Sequence, residues 1–189
     1  MDIKITIPTE LKDIKLKDFQ RVAAAIESNE AITDIELIAV YYDIDVETVK
    51  GFKNNDVTEI VLLLKQVLNT SEAELVRITK INDIEFGFIP NLNDITYGEY
   101  LNITEYIKDP STYHKLMANL YRPVVKRRNQ LYDIEAFQDT DKYSDLMKDV
   151  TMDVFLGAIS FFLHLQIHLE IYMENYMKKA TTTTQQLKK

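Results

Sequence analysis

The alternation of apolar and polar positions changes period several times along the chain. Ile3, Ile5 and Ile7 alternate with polar residues and are stopped by Pro8, which predicts a short half-buried strand. From about Leu16 the period becomes helical, with Leu16, Phe19, Val22 and Ile26 on one stripe. A second helix is expected over Ala31 to Tyr42, carrying Ile35, Ile38 and Tyr42. Asp45 reads as the N-cap of a short helix through Val46 and Val49 that ends at Gly51. Asp56 with Glu59 three positions on resembles a capping box opening the apolar helix Ile60 to Leu68. After a polar join at Asn69 to Glu74, Leu75 to Lys80 and Ile84 to Ile89 read as two strands about an Asn82-Asp83 turn, the second stopped by Pro90.

Thr96 and Glu99 form a capping box before a helix expected to turn Tyr97, Tyr100, Leu101 and Ile107 inward. Pro110 suits the first turn of a further helix running to Tyr121. Val124 to Arg127 and Gln130 to Ile134 can pair as a hairpin over Arg128-Asn129, followed by a short helix at Tyr143 to Lys148. The last helix is expected over Thr151 to Lys178, and Ala180 to Gln186 begins a low-complexity polar tail.

One passage occurs twice. Ile7-Pro8-Thr9-Glu10-Leu11-Lys12-Asp13-Ile14, running on to Phe19, is echoed by Ile89-Pro90-Asn91-Leu92-Asn93-Asp94-Ile95, running on to Tyr100. A single gap aligns the Ile-Pro, the Leu-x-Asp-Ile and an acid before an aromatic. The similarity implies a tandem duplication of a strand followed by about four helices; the alternative is chance likeness of two capped helices. Two copies are too few for a solenoid, so two similar halves packed together are expected. The first half spans residues 1–73. The second spans 74–179 with a hairpin insert at 122–142, and residues 180–189 form a flexible or docking tail.

Composition sharpens the class. Four glycines and four prolines in 189 residues compare with roughly 20 or more at average usage. That scarcity of chain-breakers argues against a barrel or sandwich. The expected fold is mostly α with short β strands and hairpins (α+β). A hydrophobic share of 46% is too high for a disordered chain. Without cysteine, disulfide scaffolds, thiolate metal sites and cysteine nucleophiles are excluded. The charged opening Met1-Asp2-Ile3-Lys4 has no apolar signal run behind it, so secretion is not expected. The net charge of −8 speaks against a general nucleic-acid coat.

Candidate chemistry is sparse. His164 and His168 share a helical face, but Leu165 stands where a His-Glu-x-x-His site needs glutamate, so no metal is expected. Val154 to Met173 has the length of a membrane span, yet it holds His164, Gln166, His168 and Glu170, which argues for burial against protein instead. Arg122, Lys126, Arg127 and Arg128 make a basic patch without aromatic interleaving, read as hairpin surface charge or a docking patch for an acidic protein. Tyr41, Tyr42, Tyr97, Tyr100, Tyr106 and Tyr121 sit where helices face each other, suited to a core edge or an interface. No nucleophile elbow, P-loop or dinucleotide fingerprint occurs, so neither enzyme activity, a cofactor nor a small-molecule substrate is expected.

The final helix carries two apolar stripes. Phe155, Ile159, Phe162, Leu165, Leu169 and Tyr172 form one, which a helical half can cover. Leu156, Leu163, Ile167, Ile171 and Met173 lie off it and are the expected partner interface.

Several stretches resemble small proteins from the structural modules of tailed bacteriophages. They are Ile5-Thr6-Ile7-Pro8 to Leu16 with Phe19-Gln20; Glu85-Phe86-Gly87-Phe88-Ile89-Pro90-Asn91-Leu92 with Gly98-Glu99-Tyr100; and His114-Lys115-Leu116-Met117-Ala118 with Leu120-Tyr121-Arg122-Pro123. Asp153-Val154-Phe155-Leu156-Gly157-Ala158, then Phe161-Phe162 and Leu165, completes them. The resemblance implies a virion component of the portal, neck or tail, with other phage structural proteins and copies of itself as partners, and no active site. The first half is also similar to tail assembly chaperones, through Ile38-Ala39 to Asp45, then Val49, then Asp56 before an apolar helix. That likeness implies instead a non-virion chaperone in the host cytoplasm, although the total length and the second half depart from it.

Overall fold

A computed structural model describes residues 4–29, 31–70, 73–129 and 131–165. The first part is helical. Helix α1 spans Leu16–Ser28, α2 Asp34–Tyr42, α3 Val46–Lys50 and α4 Asn54–Leu68. A 3-10 turn at Leu11–Asp13 precedes α1, closed by the Asp13 carboxylate, which accepts from the Thr9 and Glu10 amides at 3.0 Å each. Thr33 and Glu36 form a reciprocal capping box on α2, and the Asp45 carboxylate accepts from the Glu47 amide to open α3. Helix α4 begins earlier than its expected Asp56 box. Lys53 occupies the N-cap, and Asp56 lies within the first turn, where a carboxylate favours the positive end of the helix dipole. Helix α2 packs against α1, α3 and α4.

The strand expected at Ile3 to Ile7 is absent over residues 4–9, and Ile3 lies outside the described residues. Alternation is present, with Ile5 and Ile7 half-buried, but among the described residues no strand pairs with it to complete a ladder. The segment is tied instead by the Tyr42 hydroxyl, which donates to the Thr6 carbonyl at 3.1 Å.

A four-stranded antiparallel sheet follows, in the order β1 (Ile78–Ile81), β2 (Ile84–Phe88), β3 (Tyr121–Arg128), β4 (Leu131–Ile134). Asn82 and Asp83 both have left-handed backbones (φ 46° and 67°), the geometry of a two-residue type I′ hairpin. The second hairpin forms as expected, with Asn129 left-handed at its turn. Strand β3 pairs with β2 through Gly87↔Arg122 and Phe88↔Tyr121, so the β3–β4 hairpin extends one sheet. Tyr121 therefore opens a strand rather than closing a helix, and its fully buried hydroxyl donates to Val76 O at 2.6 Å. A Cβ at Gly87 would sit 2.5–2.8 Å from the Tyr132 ring, which crosses there to donate its hydroxyl to Phe88 O at 2.7 Å. Only glycine allows that crossing.

Helices α5 (Tyr97–Tyr106) and α6 (Tyr113–Leu120) lie between the hairpins, and α7 (Asp141–Met147) and α8 (residues 152–165) follow them. The backbone before α8 pairs with that before α1: Leu16 N donates to Val150 O at 2.8 Å and Met152 N to Ile14 O at 2.9 Å. Buried residues from residues 1–73 and from beyond residue 74, such as Ile38, Leu64, Phe86, Leu116 and Phe155, belong to one contiguous core. Residues 11–19 and 92–100 have the same local structure, a 3-10 turn, a two-residue join and a helix start. In each part the first helix packs on the second (α1 on α2, α5 on α6) and the second on a short third (α2 on α3, α6 on α7). Among the described residues no helix is long and apolar enough to cross a membrane. The remainder of the expected Thr151 to Lys178 helix and the 180–189 tail lie outside them.

Candidate interaction surface

Helix α5 is rotated from its expected orientation. Tyr97, Tyr100 and Leu101 are exposed, and the buried positions are Glu99 and Ile103. The cause lies on β3. Arg122 is only 12% exposed, and its Nη1 lies 3.1 Å from Oε1 of Glu99, itself 2% exposed. The other Glu99 oxygen accepts from the Thr96 amide and hydroxyl at 2.8 Å each. A buried guanidinium demands a counter-charge. Drawing Glu99 inward turns the tyrosines to solvent, where the Tyr97 and Tyr100 rings stack at 6.3 Å.

That rotation has a cost for the predicted basic patch. Arg122 leaves it for the interior, where burial pushes the guanidinium below its ordinary value and Glu99 offsets the shift. Arg127 pairs with Glu85 at 3.5 Å, while Lys126 and Arg128 stay exposed.

Beside the outward face of α5 runs a groove of about 490 Å³, walled by Ile89, Leu92, Tyr100, Phe161, Phe162 and Leu165. Phe88 forms part of its lining and meets Phe161 and Phe162 edge-on, with centroids 5.5 and 6.1 Å away. Polar groups reach its margin from Arg77, Asn91 and Thr104, a set with no paired nucleophile and base. The arrangement suits an apolar or aromatic side chain of a partner, with tyrosines at the rim able to bury area and still hydrogen-bond.

Helix α8 supplies one wall and shows where the expected interface residues stand. Leu163 is 48% exposed on the side of α8 away from the groove-lining Phe161, Phe162 and Leu165, while Leu156 is half-buried and packs on the core. Ile167, Ile171 and Met173 lie outside the described residues. The face of Gly157, Ser160 and His164 borders residues 73–75, the connector between α4 and β1. A Cβ on Gly157 would fall inside contact distance of the Glu74 carbonyl oxygen and 2.8 Å from its carbon. His168 lies outside the described residues. The distant His114 is held at Nδ1 by Gln20 Nε2 at 3.1 Å, and burial pushes its pKa down, helped by Lys148 and Lys115. Among the described residues no group of three or more metal-binding side chains converges.

The other tyrosines divide. Tyr41 and Tyr121 are buried and their hydroxyls are pushed upward by desolvation; Tyr42 and Tyr106 are half-buried. Reading along the chain identified Tyr100, Phe162 and Leu165 as apolar but missed the groove, because its walls come from four separated segments. No family model, curated protein or solved structure matches this chain.

Proposed function

We propose that this chain is a non-catalytic structural component of a tailed-bacteriophage particle, in the portal, neck or tail, acting through protein–protein contacts and needing no cofactor. The observation that carries the proposal is the exposed α5 tyrosine face with the apolar groove beside it. A contiguous exposed patch of this kind on a chain otherwise rich in charge marks a place where another protein is bound. Its rim aromatics are the residue types that dominate binding energy at interfaces. The sequence resemblance supplies the particle, and the shared local structure of residues 11–19 and 92–100 supports a duplicated origin of the two halves.

On this reading the chain is assembled in the host cytoplasm and resides in the virion. Mass spectrometry of purified particles tests that directly, with the chain expected at stoichiometric abundance. Its absence from particles, together with recovery bound to a tail protein in infected lysate, would replace this reading with the assembly chaperone. A second test uses Tyr100→Asp with Leu101→Asp. Both side chains are about half exposed, so stability should change by less than about 1 kcal/mol. Incorporation into particles should be lost; a folded variant incorporated at the parental level would remove the groove as the interface.

A further inference from the structure

The turn end of the β3–β4 hairpin is chemically unusual for this chain. Val124 pairs with Ile134 and Lys126 with Asp133, so Val125 is an extra, bulged residue, 64% exposed. Leu131, at the other side of the turn, is 76% exposed. Arg128 is its register partner, and paired residues present their side chains on the same face of the sheet. Lys126 and Arg128 enter no ion pair among the described residues, although Asp133 stands opposite Lys126 in register. An exposed leucine and valine thus sit among unpaired cations on a chain whose net charge is −8.

A pocket with the complementary character exists on the same molecule. It has a volume of about 280 Å³ and is lined by Ile5, Ile7, Phe52 and Ile60, with the exposed carboxylates of Asp56 and Glu59 beside them. Neither carboxylate is in an ion pair among the described residues, and Lys53 is the base nearest to them in sequence. The pocket offers an apolar floor and two anions. The hairpin offers an apolar side chain and two cations.

We propose that copies of this chain associate head to tail, with the hairpin tip of one seated in the Ile5–Ile60 pocket of the next. Leu131 fills the apolar floor, and Arg128 and Lys126 meet Asp56 and Glu59. The two surfaces are different patches, so the contact is heterologous, and repetition gives a closed ring or an open filament according to the rotation between neighbours. Residues of the groove beside α8 take no part, so this contact stands apart from the surface assigned to a partner protein above.

Sedimentation and light scattering on the full chain test this at low and high salt. The parent should form species larger than the 22.0 kDa monomer, and raising salt from about 0.05 to 0.5 M should weaken them, because exposed ion pairs are screened. Two charge-reversed variants follow: Lys126→Glu with Arg128→Glu, and Asp56→Lys with Glu59→Lys. Each alone should associate about tenfold or more weakly, since like charges then face each other. Mixed together, each should accept the other, and association should return. That rescue cannot come from misfolded chains. A parent that stays monomeric at low salt and high concentration would overturn the proposal. So would either variant associating as the parent does, or a mixture that fails to restore association.

Discussion

Two helical glycines should respond to alanine with opposite signs. Gly157 lies within α8 and Gly98 in the first turn of α5. Propensity favours alanine at a helix interior by about 1 kcal/mol, since glycine loses more backbone freedom on folding. At Gly98 nothing opposes that gain: the nearest atom to a new Cβ would be Thr96 Oγ1 at 3.9 Å. Gly98→Ala should stabilise by about 0.5–1 kcal/mol. At Gly157 the new methyl meets backbone, falling 2.8 Å from Glu74 C and 3.3 Å from Leu75 Cα. Backbone cannot rotate aside as a side chain can, so overpacking costs toward the upper end of about 1–3 kcal/mol. The balance is a loss of about 1–2 kcal/mol. Urea unfolding followed by circular dichroism reads both as shifts in midpoint at constant slope. Gly157→Ala raising the midpoint alongside Gly98→Ala would refute the close approach of α8 to the 73–75 connector.

Other sites give further expectations. Glu99→Ala should cost about 3–5 kcal/mol by leaving the Arg122 charge buried alone, and adding Arg122→Met should recover much of that in a double-mutant cycle. Tyr132→Phe removes the 2.7 Å hydrogen bond to Phe88 O and should lower stability by about 1 kcal/mol in the same urea assay. Lys17, 2.8 Å away, and Lys15, at 3.0 Å, hold the Asp149 carboxyl below its ordinary value. A depressed carboxyl stabilises the fold above its unfolded pKa and loses that contribution as pH falls through the folded one. Asp149→Asn should therefore be destabilising at pH 7, with the difference from the parent shrinking below about pH 4. A difference constant from pH 7 to pH 3 would exclude the assigned ion pairs.

Legibility followed the range of the signal. Thr33-Glu36, Thr96-Glu99 and Asp45 act within one helical turn, and Asn82-Asp83 within one hairpin. Each of these forms in the structure, although the Thr33 box was not singled out beforehand. The Ile3 to Ile7 strand failed because alternation specifies a half-buried extended segment but not a partner edge. The Asp56 box failed because α4 continues a turn further upstream, where a polar Asn54-Asn55 start gives little apolar signal. The mixed helix-and-sheet class was readable from the scarcity of glycine and proline together with two hairpin signatures.

The interaction surface was less legible for a more specific reason. On α5 the tyrosines are amphipathic and tolerate either side of a helix, so hydrophobic pattern alone does not fix its rotation. A single carboxylate does, because its partner Arg122, 23 positions downstream, is carried inside by the pairing of β3 with β2. An isolated basic cluster in the sequence gives no hint that its first member will be buried while Lys126 and Arg128 remain in water. The same ion pair thus withdraws a charge from the hairpin and turns Tyr97, Tyr100 and Leu101 outward beside the groove. One long-range electrostatic requirement therefore shapes both surfaces to which contacts are assigned. Apolar periodicity is blind to it, since the residues concerned are the least apolar on their elements.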